Sequence, residues 1–327
     1  MKLNPMGIST VKTIDQILKK ISKHTENKKL YLSFADEHSW GIKEIDRSGT
    51  EGIIQFMHAL ENTKINKLKL DEFNLGLYGV EGINALISGL KNTKINTLTL
   101  RQCKLGQAGI LGLEALTKEI KNTGIEKLVL QDFKFGRYGA DGIKAFMLGL
   151  KQSRIKELHL YNCKLHQTDI ASLRALMEGI KETSIEVLNL GWNYFDKIGI
   201  EGMEVLMKGL KGTQVKTLII SYNDLSNLGE EGFKVLINGI KDTNITYIES
   251  HQNGLSAEQL TDIRNAIAEN IIYRQGARYS LKELCTYSIF AKSKQSISEF
   301  AKNNNRLLPV DLEDDCKKII YDRVVQH

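Results

Sequence analysis

Few constellations in this 327-residue chain have the types and spacing of a catalytic centre. It contains no G-x-G-x-x-G after a strand-like segment, no phosphate-binding P-loop, no H-E-x-x-H and no C-x-x-C. Cys103 and Cys163 fall two repeat units apart. On neighbouring parallel strands that separation is roughly 10 Å, beyond disulfide reach, so both read as buried thiols. His159 and His251 would stand three strands apart, about 14 Å, too far to share a metal. The expectation is a chain with no metal and no cofactor, and not an enzyme. A different pattern lies near the C-terminus. Ser280 and Glu283 make a capping box, and Leu281, Cys285 and Ile289 then follow at four-residue intervals along one helical stripe. Such a stripe suits insertion into an apolar groove of a partner. Leu308, Pro309, Leu312 and Cys316 follow, with Leu312, Cys316, Ile319 and Ile320 on one face of a further helix.

Elements of a strict period must position the rest. From Glu61, seven blocks of 30 residues follow without insertion, opening ENTKINKLKL, KNTKINTLTL, KNTGIEKLVL, KQSRIKELHL, KETSIEVLNL, KGTQVKTLII and KDTNITYIES. Each block carries I-x-x-L-x-L-x-x-(N/C/F)-x-L, as in Ile65, Leu68, Leu70, Phe73 and Leu75. The L-x-L part has strand periodicity. The second half has helical spacing, as in Ile83, Leu86, Ile87 and Leu90. Gly82, Gly112, Gly142, Gly202 and Gly232 share one helical column, which predicts close approach to a neighbouring element, since glycine costs a helix about 1 kcal/mol against alanine. Lys91, Lys121, Lys151, Lys181, Lys211 and Lys241 fall just past each helix, with Glu81, Asp141, Glu201 and Glu231 in the first turns. The helix dipole favours this placement; an anion-tracking ridge is the alternative.

This pattern resembles the leucine-rich repeat family, and its long helical half is similar to the ribonuclease-inhibitor-like subclass. The resemblance implies an α/β right-handed solenoid, a horseshoe with a parallel sheet on the concave face and helices on the convex face. The predicted organisation is an N-terminal cap helix and partial first repeat over 1–60, seven repeats over 61–270, and a helical tail over 271–327. Solenoids need caps because a terminal repeat otherwise exposes its core face.

Strand residues pointing away from the core should line the concave face. One column reads Asp71, Arg101, Gln131, Tyr161, Gly191, Ser221, His251, and the next Glu72, Gln102, Asp132, Asn162, Trp192, Tyr222, Gln252. The N-terminal repeats offer short polar and charged groups. The C-terminal ones offer His159, Tyr161, Val187, Asn189, Trp192, Ile219, Tyr222 and Tyr247. Aromatics there mark a site for a target protein, or else a packing site for the tail.

The tail resembles the SOCS-box and VHL-box families. Their first box reads (S/T/P)-L-x-x-x-C-x-x-x-(A/I/L/V), here Ser280, Leu281, Cys285 and Ile289. The resemblance implies Elongin C with Elongin B as partners. Leu308 and Pro309, with Leu312 and Cys316, stand where a cullin box would follow, although Asp311 replaces the second proline of the SOCS form. A plain helical cap over the last repeat remains the alternative.

Composition bounds the function. Hydrophobic residues make up 42% and charged residues 26%, enough for a large core and unlike a disordered chain. The net charge of +6, from 45 basic and 39 acidic residues, is too mild for a nucleic-acid-binding composition. No apolar run approaches the roughly 18 residues of a membrane span. Four cysteines suit a reducing, cytoplasmic compartment, and residues 1–21 lack a signal-peptide apolar region. The regular Lys-, Asn- and Ile-rich array also resembles leucine-rich-repeat effectors that bacteria deliver into host cells. The expected function is a substrate receptor that recruits Elongin C and a cullin ubiquitin ligase. The alternatives are an inhibitor or regulator acting by binding alone, and a RanGAP-like activator, which rests on fold analogy only.

Overall fold

The computed structural model describes residues 29–33, 45 and 47–275. Among these residues eight strands alternate with eight helices. The strands are β1 (Lys29–Ser33), β2 (Lys67–Asp71), β3 (Thr97–Arg101), β4 (Lys127–Gln131), β5 (Glu157–Tyr161), β6 (Val187–Asn189), β7 (Thr217–Ile219) and β8 (Tyr247–Glu249). The helices are α1 (Gly49–Leu60), α2 (Gly79–Leu90), α3 (Gly109–Lys118), α4 (Gly139–Leu150), α5 (Ile170–Lys181), α6 (Gly199–Leu210), α7 (Gly229–Ile240) and α8 (Ala257–Gln275). All strands form one parallel sheet in sequence order, β1 to β8, as a leucine-rich-repeat-like solenoid. From β2 onward the register is the sequence period itself: Leu68 faces Leu98, Leu128 faces Leu158, and Leu218 faces Ile248.

Alternation explains the layers. Leu68 and Leu70, or Leu158 and Leu160, point inward and are buried, while the residues between them face away from the helices. Helices close the other side of the core with Ile83, Leu86, Ile87 and Leu90, or Met203, Leu206, Met207 and Leu210. Each such side chain contributes about 1.5–3 kcal/mol of burial, and stacking lets neighbouring repeats share it.

A hydroxyl recurs at the third position of each block, and the structure supplies its reason. Thr63, Thr93, Thr123, Ser153, Thr183, Thr213 and Thr243 each donate Oγ–H to the carbonyl three residues back, at 2.6–2.9 Å. The same oxygen accepts the amide two residues ahead, as Ile65 N–H to Thr63. A helix end leaves such carbonyls without partners, and here one side chain stitches helix to strand.

The glycine column refines an expectation. A Cβ on Gly82 would lie 2.4 Å from Cβ of Tyr78, four residues back in the same turn. The tightest partner is the helix's own entry, and the preceding repeat's helix also comes close, Ile83 at 3.2 Å from a Cβ on Gly112 and Ile110 at 3.3 Å from one on Gly142. Another column makes the tighter interhelical approach: a Cβ on Gly209 would meet Met177 Cβ at 2.3 Å. The lysine column is also more than a dipole feature. Lys91 reaches Glu119 at 2.9 Å, Lys151 reaches Glu182 at 3.1 Å and Lys211 reaches Asp242 at 3.3 Å, each in the next repeat. These pairs are solvent-exposed, and such pairs contribute little.

Candidate functional site

The site grows from the turn after each strand. Glu72, Gln102, Asp132, Asn162, Trp192, Tyr222 and Gln252 all have φ between 51 and 59°. This left-handed turn aims the amide at the next repeat: Asp132 N–H reaches Tyr161 O at 3.2 Å, Trp192 N–H reaches Ser221 O at 3.1 Å and Tyr222 N–H reaches His251 O at 3.1 Å. The conformation belongs to the fold, but its occupants differ. Five are Glu, Gln, Asp or Asn; two are bulky aromatics, for which a positive φ is unusual and costs of order 1–3 kcal/mol.

Those two aromatics stack. The Trp192 and Tyr222 rings lie 4.6 Å apart at 24°. Tyr161 continues the row from Trp192 at 6.2 Å, and His251 meets Tyr222 edge-on at 5.3 Å. One ring from each of four successive repeats thus builds a ladder along the edge of the sheet face. Tyr222 and Tyr247 are exposed, while Tyr161, Val187, Asn189, Trp192 and Ile219 are half-buried. The indole Nε1 of Trp192 is buried and has no hydrogen-bond acceptor among the described residues. An unsatisfied buried donor costs about 1–3 kcal/mol. Backbone strain and an orphaned donor together argue that Trp192 was not placed for stability. His251 belongs to this ladder, and sequence reasoning left it out of the site; its fixed place in the column beside Tyr161 was the available signal.

His159 is less displayed than its strand position suggests, with 14% of its side chain exposed. Asn189 Nδ2 lies 3.2 Å from His159 Nδ1, and His159 Nε2 lies 3.3 Å from Glu157. Burial, with repulsion from Lys127, pushes the His159 pKa down to about 4. The ring is then neutral near pH 7, accepting from Asn189 at Nδ1 and donating to Glu157 from Nε2. Asn189 Oδ1 in turn accepts the amide of Gly191 at 2.9 Å, the residue before Trp192. His159 is thus a strut beneath the ladder.

The column containing Tyr161 needs a wider correction. Asp71, Gly191 and Ser221 are buried, because the chain turns inward at the strand end. Arg101 Nη1 donates to both Asp71 oxygens at 2.9 and 2.8 Å, and its Nε donates to Asp132 at 3.2 Å. This network raises the guanidinium pKa, chiefly through the Asp71 hydrogen bond. It neutralises the N-terminal sheet face instead of presenting a free cation.

Beneath the turns, the Asn/Cys/Phe column divides the molecule. Asn193 donates to Leu160 O and Leu190 O, and its amide reaches Asn223 Oδ1 at 2.8 Å. Asn223 and Asn253 repeat the arrangement. Cys103 and Cys163 are buried free thiols, each reaching one carbonyl of the preceding strand, at 3.4 and 3.3 Å. Phe73 and Phe133 fill the turn with rings that meet Tyr78 and Tyr138. The Ser280, Leu281, Cys285 and Ile289 stripe, and Leu308, Pro309, Leu312 and Cys316, lie outside the described residues. No helix among the described residues is long and apolar enough to cross a membrane.

No family model matches this chain, and no curated protein matches it. Among solved structures it is similar to the leucine-rich repeat-containing protein LegL7 from Legionella pneumophila, at 14% identity, covering 81% of this chain and 95% of that one, with a TM-score of 0.49. A second likeness, to the actin-binding site 2 of leiomodin-1, has 12% identity, covers 84% and 95% of the two chains, and has a TM-score of 0.21.

Proposed function

We propose that this chain is a binding scaffold that holds a protein partner on the C-terminal half of its sheet face, the concave side of a ribonuclease-inhibitor-like horseshoe. The observation that carries this reading is the ladder Tyr161–Trp192–Tyr222–His251, whose central rings occupy left-handed positions that polar residues fill elsewhere. Aromatic clusters of this kind are where interface energy concentrates. A displayed random dodecapeptide library selected on the full chain tests it. Enrichment should vanish with Trp192→Ala/Tyr222→Ala while the melting midpoint stays near wild type. Enrichment that survives the double change, or none on the wild type, overturns the reading.

A finer reading concerns the tail. Its support is the sequence alone: Ser280, Leu281, Cys285 and Ile289, then Leu308, Pro309, Leu312 and Cys316. On that basis the scaffold is a substrate receptor that docks Elongin C, with Elongin B and a cullin, in a reducing cytosol, including that of a host cell if the chain is a delivered effector. Gel filtration with Elongin B and C decides it. Co-elution that Leu281→Ala weakens some tenfold to a hundredfold supports the receptor, since the leucine pocket is worth about 1.5–3 kcal/mol. No co-elution at micromolar concentration leaves a scaffold that acts by binding alone.

A further inference from the structure

Beside the ladder runs a row of cations that the function above does not use. The turns after β3, β4 and β5 place Lys104, Lys134 and Lys164 in one column, and the short helical turns after β4 and β6 add Arg137 and Lys197. Lys104, Lys134 and Arg137 line one shallow groove of about 330 Å³. Lys164 and Lys197 each stand 5.0 Å from the ring centre of Tyr194, two residues beyond Trp192.

What marks this rim is five cations gathered beside the ladder; Asp196, next to Lys197 in the chain, is engaged by Asn227 Nδ2 at 3.4 Å. On the sheet and past the helices, Lys91, Lys127, Lys151 and Lys216 each reach a carboxylate of a neighbouring repeat. The five rim cations form no ion pair among the described residues. The carboxylate in the groove, Asp132, is already held by Arg101 and by Gln102 Nε2 at 3.1 Å. Tyr194 takes the column position after Lys164, and Asp224, one repeat further, ends the row.

We infer that this rim receives an acidic, extended segment of the protein partner, flanking the part that packs on the aromatic ladder. The inference rests on the proposed scaffold function and names the chemistry of its partner. Three repeat steps of about 4.8 Å span roughly 15 Å, the length of about five residues of extended chain at about 3.3 Å each. Charge complementarity then fixes register and speeds encounter. A single-stranded nucleic acid fits less well. Such ligands need open aromatic faces for their bases, whereas Tyr194 is engaged by two ammonium groups and an edge-on His166, and the ladder rings stack on each other.

Fluorescence anisotropy with a labelled dodecaglutamate peptide, on the full chain, tests this. Binding should be measurable at about 50 mM salt and at least about tenfold weaker at 300 mM, because exposed charges are screened over a Debye length. Lys134→Glu/Arg137→Glu/Lys164→Glu should abolish it with an unchanged melting midpoint. Reversing Lys64, Lys94 and Lys118, exposed outside the rim, should leave it within about twofold. Trp192→Ala/Tyr222→Ala should also leave it intact, so failure of the ladder and failure of the rim read out separately. No binding of dodecaglutamate at low salt, binding indifferent to the rim reversal, or tighter binding of a twelve-nucleotide oligouridylate would each overturn the inference.

Discussion

The repeats that contain β2 to β5 and those that contain β6 to β8 share one backbone plan and use it differently. In the first group, strands run five residues, the turn is filled by Phe73, Cys103, Phe133 and Cys163, and the sheet face is tied by Asp71, Arg101 and Asp132. In the second, strands run three residues, Asn193, Asn223 and Asn253 form a hydrogen-bonded ladder, and aromatic rings stand above it. The comparison teaches that the layer beneath the turns and the layer above them are separable. Asparagine saturates the turn's backbone groups internally, and a strained aromatic can then occupy the left-handed position above without loosening the repeat. The phenylalanine repeats lack those side-chain bonds, and their following residues Asn74 and Lys134 leave the left-handed region that Lys104, Tyr194 and Asp224 adopt.

The largest expected effect breaks the lower layer. Asn223→Ala removes bonds to Leu190 O and Ile220 O and orphans the amide of Asn193, so it should cost about 3 kcal/mol. Cys163→Ala loses a weak S–H contact shared between Leu130 O and Tyr161 O and a small volume, about 1 kcal/mol. Urea melts of the two variants compare the halves directly; equal losses would mean that the asparagine ladder is not what holds the C-terminal turns.

A smaller effect lies at the junction of the two halves. The folded-state pKa of His159 is depressed to about 4, so between about pH 6.5 and 4 the unfolded chain binds the additional proton. Stability from this residue is therefore complete above pH 6.5 and is lost as pH falls through that window, by at most about 3 kcal/mol. His159→Gln should flatten that part of the stability–pH curve. A wild-type curve already flat between pH 6.5 and 4 would show that His159 is not the buried strut described here.

The smallest effect sharpens the upper layer. Tyr222→Asn exchanges an aromatic contact, worth about 0.5–1.5 kcal/mol, for a residue at ease with positive φ. Its melting midpoint should move by less than about 1 kcal/mol in stability, while peptide capture falls with the stack. A drop of several kcal/mol would make the ladder a structural element and weaken its reading as a site.

Sequence by itself determined the solenoid. The 30-residue phase, the L-x-L alternation and the helical apolar stripe are local patterns, and a strand or helix buries one face whatever lies beside it. It also placed Trp192 and Tyr222 on neighbouring repeats, because equal phase means equal position. Tertiary structure alone decided what those positions mean. The left-handed turn exists because an amide must reach a carbonyl one repeat away, as Trp192 N–H reaches Ser221 O. Asp71 is buried and Arg101 is tied by contacts across 30 residues that no local pattern encodes. Gly82 meets its own Tyr78, and Lys134 forms no ion pair among the described residues while Lys127 pairs with Glu157. Period fixes which residues recur together; only packing between repeats fixes which neighbour each one meets, and so which charges and rings are left facing outward.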